Sequence, residues 1–162
     1  KATAQATWYL PLQKIAPGRP IVPFFTFNHR AGVILPFGNT TSIPVPERFF
    51  LGGPDSVRSF QFDGMAPRDS AGTPLGGEAF LQANIELQWP VGRGFFLAVF
   101  TDAGNLAASV DEMEFNETRI APGAGIRFYT PLGALRMDYA YNLVRRDGDP
   151  IGAWQFGLGV TF

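Results

Sequence analysis

Apolar and polar residues alternate with a period of two along most of this 162-residue chain, the spacing of a β-strand whose two faces meet different surroundings. The cleanest run is Glu78 to Val91. It sets Ala79, Leu81, Ala83, Ile85, Leu87 and Trp89 against Phe80, Gln82, Asn84, Glu86 and Gln88. The same pattern predicts strands over Ala2 to Leu12, Ile21 to Leu35, Phe95 to Asp102, Thr118 to Thr130, Ala134 to Leu143, and from Trp154 to the chain end. Charged residues, among them Glu86, Arg127, Arg136 and Asp138, fall opposite the apolar rows. That second face is therefore wet or internally paired, because a dry core does not hold lone charges.

The connections also carry a pattern. They are short at 90–94 and 130–133, and long at 36–78, 104–117 and 144–152. Short turns on one rim and long loops on the other build a transmembrane β-barrel, although a soluble antiparallel barrel shares this plan. The segment 36–78 is rich in Gly and Pro and too long for an ordinary connection, so it is functional or disordered. An arginine at its centre, in Leu51-Gly-Gly-Pro-Asp-Ser-Val-Arg-Ser-Phe60, calls for acids within the barrel to receive it.

Composition narrows the classes. A formal net charge of −1 gives no sign of a nucleic-acid partner. The absence of cysteine excludes disulfides and thiolate metal sites without naming a compartment. Sixteen Phe and nineteen Gly favour strands and tight turns. No apolar run is long enough for a transmembrane helix, whereas barrel strands need only about 9–11 residues. The opening Lys-Ala-Thr-Ala-Gln-Ala-Thr is not a signal peptide, so either one has been removed or the sequence is an excerpt. Seven crossings, an odd number for a bacterial barrel, favour an excerpt over a complete eight-stranded barrel.

The blocks LGGPDSVRSF, GGEAFLQANIEL, FFLAVFTDAGNL and GAGIRFYTPLGALRMDYAYNL, with a terminal aromatic, resemble the C-terminal part of the BamA-like superfamily of outer-membrane assembly and secretion barrels. The resemblance implies an all-β fold in which residues 1–162 form the last seven strands of a sixteen-stranded antiparallel transmembrane β-barrel. Segment 36–78 is then an extracellular loop folded into the lumen, and POTRA or other domains precede the chain. In that family the arginine of a Val-Arg-Gly-Phe/Tyr motif pairs with acids on the two strands that follow. The motif here is Val57, Arg58, Ser59 and Phe60, with Glu86 and Asp102 at the acidic positions. Ser59 replaces the family's Gly, which speaks against a left-handed backbone there. Phe156, Leu158, Val160 and Phe162 match the terminal signal through which such barrels are recognised for assembly.

Other candidate chemistry is weak. His29 is the only histidine, and no second histidine or cysteine completes a metal site. Ser56 and Ser59 lack a Gly-x-Ser-x-Gly setting. Gly52, Gly53, Gly76 and Gly77 read as turns or close-approach points, since no helix follows them to cradle phosphate. No cofactor is implied. By resemblance the function is non-enzymatic insertion of β-barrel proteins into the outer membrane of a Gram-negative cell. Its partners would be the lipid bilayer, unfolded outer-membrane proteins and accessory lipoproteins. A two-partner secretion transporter and the barrel anchor of a patatin-like hydrolase remain open, because the distinguishing domain would lie before Lys1. A small soluble β-barrel is the remaining class.

Overall fold

The computed structural model describes residues 1–12, 22–38, 42–131 and 133–158. Seven strands follow one another in a single antiparallel meander, each hydrogen-bonded to the next: β1 (Ala2–Pro11), β2 (Phe24–Val33), β3 (Ala79–Gly92), β4 (Phe95–Ala107), β5 (Arg119–Thr130), β6 (Gly133–Tyr141) and β7 (Gly152–Leu158). The expected strands are all present, with shifted ends. The largest shift is at β4, expected to stop at Asp102 and continuing to Ala107. Gly104 and Asn105 read as loop residues in isolation, but their neighbours on β3 and β5 keep them in the ladder. The expected turn at 16–20, the start of β2 at Ile21, and Val160 and Phe162 lie outside the described residues.

The sheet is inverted relative to a soluble protein. Leu81, Ile85, Trp89, Leu97, Val99, Met137, Trp154 and Phe156 are exposed, while Asn28, Asn84, Glu86, Asp102, Arg127 and Asp138 are buried. A soluble domain rarely leaves so large a contiguous apolar surface bare. Alternation with the apolar side outward is what a barrel wall in lipid requires.

The connections separate by rim as their lengths predict. Gly92 and Phe95 pair across a two-residue turn in which Arg93 and Gly94 both have positive φ (52° and 82°), matching the right-handed twist of a hairpin. The long segments before β3, after β4 and after β6 emerge at the opposite rim.

The described residues of segment 34–78 neither project nor lack structure. Apart from the short 3-10 turn Val45–Glu47 they are irregular, yet they carry their own apolar centre. Ile34, Ile43, Phe49, Leu51, Val57, Phe60 and Met65 pack on Phe80, Leu106 and Ala121, which point inward from β3, β4 and β5. Phe49 stacks edge-on against Phe80, and Phe49 and Gly77 exchange main-chain hydrogen bonds. The segment thus fills the concave side of the sheet and is what buries the charged face.

Candidate functional site

The segment around Leu51–Phe60 is folded by short-range main-chain bonds. Gly53 N–H donates to Phe60 O, Ser56 N–H to Gly53 O, Phe60 N–H to Val57 O and Met65 N–H to Leu51 O. Gly52 and Gly53 have φ of 116° and 97°, a region that only glycine enters without strain. A side chain at Gly52 would also press on Gly64 N at 3.0 Å. Gly76 has φ of 68° as well, but Gly77 is a close-approach point and not a turn residue: it bridges Phe49, and a side chain there would collide with Leu106 and the Ala107 carbonyl. Ser59 is absent from the positive-φ residues, so the serine sits in backbone that any residue adopts. Its Oγ is buried and has no hydrogen-bond partner.

Val57 and Phe60 are fully buried anchors, and between them Arg58 reaches across the lumen. Arg58 Nε and Nη2 donate to the two oxygens of Asp102 at 2.9 and 2.8 Å, a fork-to-fork pair. Nη1 donates to Glu86 Oε2 at 2.6 Å and to Asp138 Oδ2 at 3.5 Å. The Arg58 main-chain N–H adds a bond to Asp102 Oδ2 at 3.0 Å. The flat face of the guanidinium lies 3.3 Å from the centroid of the Phe100 ring. That ring leans into the space left by Gly123 on β5, where any side chain would collide with it.

A second guanidinium completes the cluster. Arg127 Nη2 donates to both oxygens of Glu86 at 3.0 and 2.9 Å, and its Nη1 to Asp138. Arg58, Arg127, Glu86, Asp102 and Asp138 are each at most 1% exposed. Neutral amides supply further donors: Asn84 Nδ2 to Asp102 at 2.8 Å and Gln88 Nε2 to Glu86 at 2.9 Å. Beside the cluster, Arg136 pairs with Asp55 of the loop.

Electrostatics follow from this packing. Burial by itself would lower the pKa of Arg58, because it penalises the charged form. Asp102, by charge and hydrogen bond, then Glu86 and Asp138, outweigh that effect and hold the pKa above its ordinary value. Arg58 is a permanent cation whose Nε, Nη1 and Nη2 all turn towards acids. It is built to hold position, and it has no lone pair to offer as a base or nucleophile.

The structure brings Arg58, Glu86 and Asp102 together. Three participants were not assigned to the site from sequence: Asp138, Arg127 and Phe100. Alternation puts Arg127 and Asp138 on the polar face, but only the register, with Gly125 opposite Asp138, sets Asp138 within reach of Arg127, which in turn reaches Glu86. Phe156 and Leu158 sit on the exposed face of β7, away from the cluster.

An Omp85 superfamily domain model matches residues 1–162. The chain is 29% identical to the outer membrane protein assembly factor BamA of Neisseria meningitidis serogroup B, over 99% of this chain and 24% of that protein. It is 32% identical to BamA of Nitratidesulfovibrio vulgaris, over 89% of this chain and 20% of that one. Against the human sorting and assembly machinery component 50 homolog it is 30% identical, over 85% of this chain and 33% of that protein. The chain thus spans about a fifth to a third of the length of these relatives. Among solved structures, BamA from Haemophilus ducreyi lacking POTRA domains 1–3 superposes with a TM-score of 0.76 over 95% of this chain and 33% of that one, at 21% identity. The seven strands are accordingly an arc of a transmembrane antiparallel β-barrel. Matched over its whole length by the family's own model, the chain belongs to the Omp85 superfamily.

Proposed function

We propose that residues 1–162 are the C-terminal, seven-stranded part of a sixteen-stranded barrel of a BamA-like outer-membrane assembly factor, which inserts β-barrel proteins into the membrane without chemistry of its own. The observation that carries this reading is the way Arg58 holds its loop in the lumen. Its acids come from three strands, β3, β4 and β6, so seating one side chain ties the loop to three strands of the wall at once. Such a site braces a surface on which a client strand can be paired, and it has no part in bond making or breaking. The names of the relatives, each an assembly factor or assembly machinery component, favour the same reading. In this reading segment 36–78 is an extracellular loop, POTRA domains precede the barrel, and Phe156, Leu158, Val160 and Phe162 form the signal by which the barrel is itself assembled. Its partners are the lipid bilayer, unfolded outer-membrane proteins and accessory lipoproteins.

The test uses the full-length protein in liposomes to which a urea-unfolded outer-membrane protein is added. Folded client is scored by its heat-modifiable mobility on a gel. The protein should accelerate client folding over empty liposomes, and Arg58→Ala should lose that acceleration. Arg68→Ala, whose exposed side chain donates to the Gly72 carbonyl of its own loop, should keep it. Equal folding in loaded and empty liposomes would sink the reading.

A further inference from the structure

The arginine is not the only hold on the loop. Besides the bond from the Arg58 N–H to Asp102 on β4, its main chain is gripped by side chains of two further strands. Asn84 Nδ2 on β3 donates to Ser56 O at 2.8 Å. Gln155 Nε2 on β7 donates to both Phe60 O at 2.8 Å and Arg58 O at 3.2 Å. Gln155 is buried, and it pairs in register with Asp138 of the charge cluster. A side chain that donates to two main-chain carbonyls senses where the loop is, whatever side chains the loop carries.

The position of β7 makes this contact consequential. Among the described residues β7 is hydrogen-bonded to β6. Gly157 contributes no side chain to pack, and Trp154, Phe156 and Leu158 face outward. Inward, Gln155 is the side chain of β7 that hydrogen-bonds the loop. If Arg58 leaves its acids, the carbonyls of Arg58 and Phe60 move with it, and Gln155 is left buried with unused donors. Unsatisfied buried amides are costly, so β7 and the loop release together or stay together.

We propose that Gln155 is a positioning residue that couples the seating of the arginine loop to the attachment of β7, so that the state of the loop regulates how firmly the last described strand is held. This rests on the reading of the loop as a brace and adds the route by which the brace acts. Coupling between two equilibria is reciprocal, and that property separates it from simple destabilisation.

The experiment is hydrogen exchange by mass spectrometry on the full-length protein in lipid nanodiscs, without client. Gln155→Met keeps the volume and removes the donor. It should speed exchange at residues 56–60 by about tenfold, the worth of one to two neutral hydrogen bonds. Arg58→Lys, perturbing the other end, should speed exchange in 152–158 by a similar factor while leaving β3 and β4 near wild type. Phe156→Ala, outward on the same strand, should loosen β7 and with it 56–60, whereas in a Gln155→Met background it should loosen β7 alone. Gln155→Glu, equally shaped but an acceptor, should match or exceed the effect of Met. Wild-type protection of 56–60 in Gln155→Met overturns the proposal, and so does a loosened loop with unchanged β7 in Arg58→Lys. Should Gln155→Met fail to fold, the Arg58→Lys arm decides the matter alone. No client is present, so failure here leaves the assembly reading standing, whereas loss of client folding with intact coupling counts against that reading only.

Discussion

Removing the Arg58 side chain should strand one acid far more than the other two. In Arg58→Ala, Glu86 keeps both of its bonds from Arg127, and Asp138 keeps its pair with Arg127. Asp102 is different: Arg58 is the one cation within salt-bridge distance of it among the described residues. It would retain only the neutral donors of Asn84 and of the residue 58 main chain. An uncompensated buried charge of this kind costs about 3–5 kcal/mol. That is roughly two to three and a half decades in the folding or loop-seating equilibrium. The fork on Asp102 also makes Asp102→Asn the specific remedy, because a neutral amide tolerates the emptied site. The assay is guanidinium unfolding of the full-length protein in lipid, followed by tryptophan fluorescence, with limited proteolysis of segment 36–78 as the local readout. Arg58→Ala should be strongly destabilised, and adding Asp102→Asn should recover more than adding Glu86→Gln does. If Glu86→Gln rescues as well as Asp102→Asn, or if Arg58→Ala behaves like Arg68→Ala, the reasoning from stranded charge is wrong.

Other expectations follow from the same geometry. Gly125→Ala should cost about 1–3 kcal/mol in that unfolding assay, an overpacking effect, because the new Cβ would overlap the Asp138 carboxylate and sit 2.6 Å from Met137 O. Gly104→Ala should increase proteolysis of segment 36–78 without breaking an ion pair, since its Cβ would collide with Val57 and come within 3.3 Å of Met65. On the opposite face, Val99→Arg should destabilise the folded barrel in lipid by about 2–4 kcal/mol if Val99 lies near mid-bilayer, as an exposed residue of central β4 should. A wild-type midpoint for Val99→Arg would argue that this face does not meet lipid.

Much of the fold was legible because a barrel wall writes its two environments into adjacent residues. Parity alone puts Glu86 and Asp102 on the inside, and only the family motif joined them to Arg58. Height along the strand was the hidden quantity. Asp138 joins the cluster because residues 123–130 pair with 133–140 in one register, and a shift of two would carry it away with its parity unchanged. Gln155 was hidden for the same reason, and its partners are carbonyls, which no sequence displays. The end of β4 was misplaced because Gly104 looks like a breaker. Here its missing side chain makes room for Val57 and Met65 of the loop, so the glycine serves packing while the strand runs on.

The ring of Phe100 under Arg58, seated in the gap at Gly123, has a consequence for which cations the cluster accepts. A planar cation laid on a ring has its donors directed edgewise, and that edge is where Asp102 and Glu86 stand. Lysine carries the same charge, but its ammonium is a point with no face to rest on the ring and no fork to match a carboxylate. The cluster is therefore selective for shape at equal charge, and part of that selectivity comes from a glycine that carries no polar side chain at all. Exchanging Gly123 for alanine would tilt the ring and turn the guanidinium out of the plane of its acids, disarming the loop without altering a single charge.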